Sequence, residues 1–170
     1  SSFNMSTLFT KKLKKISRID NTPTRDIIVE KRKDTLNMYT FTFDLKRTSK
    51  HTRKSGNEII SANDRLHFAV KAQLTKHLRE LACALANACT RHEPFSPSNP
   101  CTVTIIVYAP TKRRMDPPNL YPTVKALIDG FTDAELWTDD NYEIIKAMTF
   151  IYGGLSGTDK YTLEIAIEKA

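Results

Sequence analysis

The residues between 112 and 140 include the side-chain types that a phosphodiester-cleaving site needs. An aspartate, Asp116, precedes a rigid Pro-Pro pair, and two adjacent aspartates, Asp139 and Asp140, follow about two dozen residues later. Carboxylates with few compensating charges favour Mg²⁺, which prefers oxygen ligands and can activate water and stabilise a leaving 3′-oxygen. Three cations shortly before Asp116 would hold the DNA backbone: Lys112, Arg113 and Arg114. The segment therefore predicts a nuclease site with Mg²⁺ as cofactor, for which Mn²⁺ would substitute.

Each part of this pattern also has a simpler interpretation. Asp-Asp pairs are common in turns, and an aspartate before Pro-Pro is an ordinary turn former. Lys125 and Asp129 are four residues apart on a predicted helix, so a simple surface ion pair would also explain them. Spacing alone leaves both interpretations open.

The hydrophobic pattern predicts the strands that would position these residues. Residues 38–45 alternate apolar and polar side chains, which predicts a half-buried strand. Residues 101–109 are almost continuously apolar or β-branched, which predicts a central strand covered on both faces. Two more strands are predicted at about 143–152 and at 161–168. Three glycines are predicted to mark the turn between them: Gly153, Gly154 and Gly157.

Two helices complete the pattern. The first is predicted to open at residues 61–63, with Ser61 or Asn63 as its cap. Its core stripe has steps of three or four residues: Leu66, Val70, Leu74, Leu78, Leu81 and Leu85.

The second helix is predicted at about 120–134, with Asn119 available as its cap. Pro122 is tolerated in its first turn, and Gly130 near its end allows close packing. The order β-α-β-α-β-β predicts an α+β fold, in which a mixed sheet of about four strands carries two helices on one face.

The charge of the chain is unevenly distributed. Residues 1–115 carry 22 Lys and Arg against 9 Asp and Glu, whereas residues 116–170 carry 4 against 10. This distribution suits a protein that binds phosphates with its basic part and a cation with its acidic part. Surface charges that only keep the protein soluble would explain it equally well. Residues 46–54 are predicted to form a basic loop. Residues 1–34 lack a sustained period and predict a basic, flexible arm before a single domain at 35–170.

The remaining features exclude several classes of protein. Cys83, Cys89 and Cys101 are predicted to be buried thiols of a reducing cytosol, since no Cys/His cluster has the spacing of a zinc site. The chain has no run of about 18 apolar residues and no pattern of a signal peptide. The sequence therefore predicts a cytoplasmic protein without a membrane partner.

At three places the sequence resembles the RusA family of Holliday-junction resolvases, especially its phage and prophage members. Residues 125–140 resemble a motif of the family that consists of a lysine, an aspartate one helical turn later, a reversal of the chain and then Asp-Asp. Residues 113–120 resemble its Arg-rich Asp-x-Asp-Asn-Leu signature, and residues 61–68 resemble the Ser-x-Asn-x-Arg entry to its first helix. The resemblance covers roughly residues 36–168.

The resemblance implies a homodimer that nicks four-way DNA junctions symmetrically with a divalent metal. Such a protein would be bacterial or phage-encoded and associated with the nucleoid. The implied catalytic residues are Asp116, Asp140 and Lys125, and the implied metal ligands are Asp116, Asp139 and Asp140. The predicted DNA contacts are Asn63, Arg65, Lys71, Lys76, Lys112, Arg113 and Arg114.

Two departures from the family pattern matter. Pro118 stands where the signature has its second aspartate, and Asp116 to Lys125 spans three positions more than in the enterobacterial form of the motif. The available replacement ligands are Asn119 and Asp129, although Asn119 could equally be a helix cap.

Several alternatives stay open at this point. Asn63 and Arg65 are either DNA contacts or a cap and a surface charge, and His67 is either a helix residue or a phosphate contact. The alternative function is a catalytically impaired dimer that binds branched DNA by its shape. A third is a sequence-specific DNA-binding regulator that uses loop 46–54.

Overall fold

The computed structural model describes residues 38–89 and 91–170, so the predicted arm at residues 1–34 lies outside the described residues. Residues 39–170 form one compact unit. Its elements are β1 (Met38–Leu45), α1 (Phe68–Ala88), β2 (Cys101–Ala109), a 3-10 helix (Pro117–Leu120), α2 (Tyr121–Asp133), β3 (Ile145–Leu155) and β4 (Tyr161–Lys169).

The four strands form one mixed sheet in the order β1-β4-β2-β3. Strand β2 is parallel to β3 and antiparallel to β4. The predicted α+β fold, with a mixed four-stranded sheet and two helices, is confirmed. The central position of β2 is confirmed as well.

The prediction that both faces of β2 are covered is wrong. Its odd-numbered residues, from Cys101 to Ala109, are buried, and its even-numbered residues are only half-buried. The buried face packs in one core with residues of both helices, such as Leu78 and Leu127. Thr102, Thr104 and Ile106 on the other face are β-branched because such side chains fit a pleated strand, which does not require full burial.

Aromatic side chains join the sheet to α2. The ring of Phe131 lies 4.6 Å from Phe41 and 6.2 Å from Phe43, measured between centroids. Trp137 meets Phe131 edge-on at 6.1 Å, and its indole N–H donates to Thr132 Oγ1 at 2.7 Å. These contacts fix the end of α2 and the start of the loop that carries Asp139 and Asp140.

Helix α1 begins later than predicted. It starts at Phe68, and His67 caps it by accepting the Ala69 N–H on Nδ1 at 3.3 Å. Residues 61–64 form a turn because the Asp64 carboxylate accepts the Ser61 N–H at 2.8 Å. His67 is therefore a cap, and Asn63 is not.

The buried face of α1 also differs from the predicted leucine stripe. Its fully buried residues are Leu78, Ala82 and Ala86, whereas Leu85 is 37% exposed. The other stripe residues are partly buried. Small residues face α2 because the helices approach closely: a Cβ on Gly130 would lie 2.2 Å from the Arg79 carbonyl oxygen. The close packing predicted at Gly130 is confirmed.

Gly153 and Gly154 lie inside β3, so their predicted place in the turn is wrong. The register between β2 and β3 shifts at Val107 and Tyr108, which leaves Gly153 as an extra residue. A Cβ there would lie 2.6 Å from the Tyr108 ring, so glycine fits the close approach. Gly157 does lie in the turn, with φ of +75°.

The three cysteines are free thiols, of which Cys101 is buried and the other two are half-buried. Within residues 38–89 and 91–170, no helix combines the length and apolar character needed to cross a membrane.

Candidate functional site

The centre of the candidate site is the ammonium group of Lys125. Lys125 lies on α2, and its Nζ donates to Asp129 Oδ1 one turn later at 2.8 Å. The same Nζ donates to Asp140 Oδ2 at 2.5 Å. Asp140 comes from the loop between α2 and β3, so the loop returns to the helix at this point. The structure therefore brings together three residues of the family-like segment 125–140.

Lys125 and Asp140 hold each other in their charged forms. Burial alone would lower the pKa of Lys125, but the hydrogen bonds to Asp129 and Asp140 outweigh burial and raise this pKa above its ordinary value. The hydrogen bond from Lys125 lowers the pKa of Asp140, against the opposite effect of burial. At neutral pH the site therefore contains the Lys125 ammonium and the Asp140 carboxylate.

Asp139 organises the loop. Its Oδ1 accepts the Asp140 N–H at 2.8 Å, and its Oδ2 accepts the side-chain amide of Asn141 at 3.1 Å. Asn141 Oδ1 in turn accepts the Glu143 N–H at 3.0 Å, and the buried Ile144 anchors the turn. The exposed side chain of Asp139 thus fixes the backbone of Asp140.

Asp116 lies in front of the 3-10 helix. Its backbone carbonyl accepts the Asn119 N–H at 2.9 Å, and its exposed side chain does not cap the helix. In the part of the chain that the structure describes, no three His, Cys, Asp or Glu side chains form a group that could hold a metal ion. Asp116, Asp139 and Asp140 are therefore not assembled as one three-carboxylate cluster, and the Mg²⁺ site stays a prediction.

The alternative role of Asn119 as a helix cap is not what the structure has. The residue before α2 is Leu120, and no side chain caps that terminus. Pro122 does lie in the first turn of α2, as predicted. The carbonyl of Asn119 instead accepts the Ala62 N–H at 2.8 Å, which joins the 3-10 helix to the segment before α1.

A second contact strengthens this joint. The Ile60 N–H donates to Thr123 Oγ1, and the Thr123 hydroxyl donates back to the Ile60 carbonyl, both at 2.8 Å. Thr123 is fully buried. The segment that carries Asn63 and Arg65 is thereby attached to the start of α2, two residues before Lys125. Two sequence segments about 60 residues apart, each with its own resemblance to the family, are neighbours in space.

The predicted DNA-binding side chains are all exposed: Asn63, Arg65, Lys71, Lys76, Lys112, Arg113 and Arg114. Lys76 lies 3.8 Å from Glu80 in an exposed pair. Lys71, Lys76 and the 79%-exposed Phe68 line one shallow depression on α1. Their exposure leaves these cations accessible to phosphates.

The sequence did not predict the ion pair between Arg47 and Asp64. Arg47 Nη1 donates to Asp64 Oδ2 and Arg47 Nη2 donates to Asp64 Oδ1, each at 2.6 Å, and the Asp64 side chain is only 8% exposed. Arg47 belongs to the predicted basic loop, but its charge is neutralised. The residues are 17 apart, so no local spacing rule could have paired them.

A cavity beside Lys125 was also missed. It has a volume of about 330 Å³, and its lining includes Lys125, Asp140, Tyr121, Tyr142 and Lys146. The signal in the sequence was an aromatic residue two positions after the Asp-Asp pair. Tyr142 is 80% exposed and Tyr121 is 46% exposed.

No family model matches the chain, and no curated protein matches it significantly. The chemistry assigned to Lys125, Asp140 and their neighbours therefore depends on their geometry and on the motifs in the sequence.

Proposed function

We propose that the protein is a Mg²⁺-dependent endonuclease of the RusA type that nicks branched DNA, such as a four-way junction. The observation that carries this proposal is the hydrogen bond from Lys125 Nζ to Asp140 Oδ2 at 2.5 Å. These residues lie fifteen positions apart in the segment that resembles the family motif, and the fold brings their side chains together. Attachment of Ala62 to Asn119 supports it, since it places the family-like segment 61–68 next to the family-like segment 113–120.

The chain's own residues would divide the work as follows. Lys125 is an ammonium with a raised pKa, so it would stabilise negative charge on the phosphate and would not accept a proton from water. The exposed cations from Lys112 to Arg114 would hold the DNA backbone.

The carboxylates fit a hard cation by their donor chemistry. Mg²⁺ commonly uses one or two carboxylates together with waters and substrate phosphates, so a complete protein cage is not required. Asp140 and Asp116 would hold it, with Asp139 beside them. When bound, the ion would supply Lewis acidity and an activated water.

The test is nicking of a labelled four-way junction with Mg²⁺. We expect paired nicks that Asp140→Asn and Lys125→Met each reduce at least about 100-fold, a size typical for loss of one charge-stabilising group. Asp159→Asn is the matched control, because Asp159 is an exposed carboxylate in the turn between β3 and β4. An uncut junction with both Mg²⁺ and Mn²⁺, or unchanged nicking by Asp140→Asn, would contradict the proposal.

The homodimer is part of the same proposal. Symmetrical nicks on opposite strands need two sites related by a two-fold axis. Light scattering on the purified protein should give twice the chain mass of 19.4 kDa. A monomer at the concentrations that give nicks would contradict this part alone.

A second candidate is a dimer that recognises junction shape without cutting. It is favoured by Pro118 at the position of a signature carboxylate, and by the lack of a three-carboxylate group within the described residues. Here wild-type protein would bind junctions tightly and leave them intact, and Pro118→Asp would gain cleavage. Efficient nicking by the wild type would eliminate this candidate.

A further inference from the structure

The cavity beside Lys125 has aromatic residues from two different elements. Tyr121 opens α2, and Tyr142 lies in the turn between α2 and β3. Both line the same space of about 330 Å³, at the lower end of the range of about 300–1,000 Å³ for small-ligand pockets. The apolar floor includes Ile128 and Met148.

Tyr142 is exposed although its backbone is well anchored. The turn is closed by backbone bonds from Ile144 and Ile145 to the Asn141 carbonyl, at 3.1 and 2.9 Å. The Asn141 and Asp139 side chains brace it further. Within the described residues no aromatic ring packs against Tyr142, whereas Tyr121 meets Phe150 edge-on at 6.5 Å. A large ring is thus presented to solvent at the mouth of a pocket by a fixed backbone.

One lysine of the cavity is available to contact a phosphate. Lys146 lines the cavity, is exposed, and has no ion-pair partner among residues 38–89 and 91–170. Lys125 also lines the cavity, and its ammonium group already binds Asp129 and Asp140. The cavity therefore offers one free cation beside aromatic and apolar surface.

From this combination we propose that the Tyr121–Tyr142 cavity binds an unpaired nucleobase of the DNA strand, with Lys146 on the adjoining phosphate. Aromatic side chains stack on bases of any sequence, and proteins that bind unpaired strands combine such stacking with cations along the backbone. The inference rests on the proposed function. It assumes that a DNA strand lies beside Lys125 and Asp140, and it gives one base of that DNA strand a binding place.

The test measures binding without cleavage, in EDTA. The probes are a fluorescent fifteen-nucleotide thymidine strand and an abasic strand of the same length, which has the same phosphates but no bases. Wild-type protein should bind the thymidine strand more tightly. Tyr142→Ala should weaken its binding about 5- to 150-fold, the loss of one base–aromatic stack, and should leave the abasic strand almost unaffected. Tyr142→Phe should keep the wild-type preference.

Tyr152→Ala is the matched control, because Tyr152 is 49% exposed on β3 and does not line the cavity. Equal weakening for both strands, or an equal effect of Tyr152→Ala, would overturn the inference. Displacement of the strand by micromolar free thymidine monophosphate would also overturn it and assign the cavity to a free nucleotide. Nicking by a protein that shows no base preference would contradict this inference and leave the nuclease proposal intact. A base preference without nicking would contradict the nuclease proposal and leave this inference intact.

Discussion

Lys125 contacts two carboxylates, and the charge of Asp140 depends on it. Because folding lowers the pKa of Asp140, the pair stabilises the fold above the ordinary carboxyl pKa of about 3.9 and loses this effect as the pH falls through the lower folded-state value. Because folding raises the pKa of Lys125, the effect is fully present below the ordinary lysine pKa and is lost as the pH rises through the raised value. The pair therefore stabilises the protein across the neutral range.

We expect the Asp140 carboxyl to titrate below about 3.9 in the wild type and to move upward in Lys125→Met, since the hydrogen-bonding ammonium is then absent. Carbon-detected NMR of the aspartate carboxyls measures this directly. Lys146→Met is the control, because Lys146 lines the same cavity without contacting Asp140. Ordinary titration of Asp140 in the wild type would show that the contact is not formed in solution.

The free energy of unfolding should fall by about 1 kcal/mol or less in Lys125→Met, since the Lys125 side chain is 45% exposed.

The Arg47–Asp64 pair gives a second prediction at this scale. Arg47→Lys keeps the charge but cannot bridge both carboxylate oxygens, so the free energy of unfolding should fall by about 1–2 kcal/mol. Urea denaturation measures the change. Arg53→Lys, at an exposed position in the same loop, should have little effect. Equal midpoints for the two variants would refute the structural role of the pair.

The contact between α1 and α2 is the critical one among the elements. It depends on Gly130, where a Cβ would lie 2.2 Å from a backbone oxygen and 2.8 Å from Ala82 Cβ. A backbone atom cannot give way as a flexible side chain does, so the helices must separate if the position is filled. Separation would also displace Lys125, five residues earlier on α2.

We therefore expect Gly130→Ala to destabilise the protein by about 1–3 kcal/mol, although alanine is the better helix former. Thermal unfolding followed by circular dichroism is the measurement. Ala84→Ser adds one heavy atom at an exposed position of α1 and should change stability by less than about 0.5 kcal/mol. A stabilising Gly130→Ala would mean that helix propensity outweighs the packing constraint and that the helices are farther apart than described.

For the whole molecule, the uneven charge becomes a prediction about salt. If Lys112, Arg113 and Arg114 contact phosphates, junction affinity should fall steeply with salt, and each contact should contribute about 0.9 to the slope of log K against log salt. Arg113→Gln should reduce this slope by about 1. Lys160→Gln removes another exposed cation, in the turn between β3 and β4, and should leave the slope unchanged. Equal slopes for wild type and Arg113→Gln would remove Arg113 from the interface.

Local patterns in the sequence are enough to predict the helices and strands and their order along the chain. Alternation and β-branching predicted the strands because a pleated half-buried surface selects such residues. The helical period, with Pro122 in the first turn, predicted α2 almost to the residue. The resemblance placed Lys125, Asp129 and Asp140 in one motif, and in the structure Lys125 contacts both carboxylates.

The start of α1, its buried face and the surroundings of Lys125 depend on contacts between distant parts of the chain. The start of α1 follows the Asp64 turn, which depends on Arg47 seventeen residues away. The buried face follows the close approach at Gly130, which favours Ala82 and Ala86 over Leu85. The cavity depends on two tyrosines 21 positions apart in the sequence. Local periodicity reports burial within one element, whereas these features depend on the path by which the chain brings distant elements together.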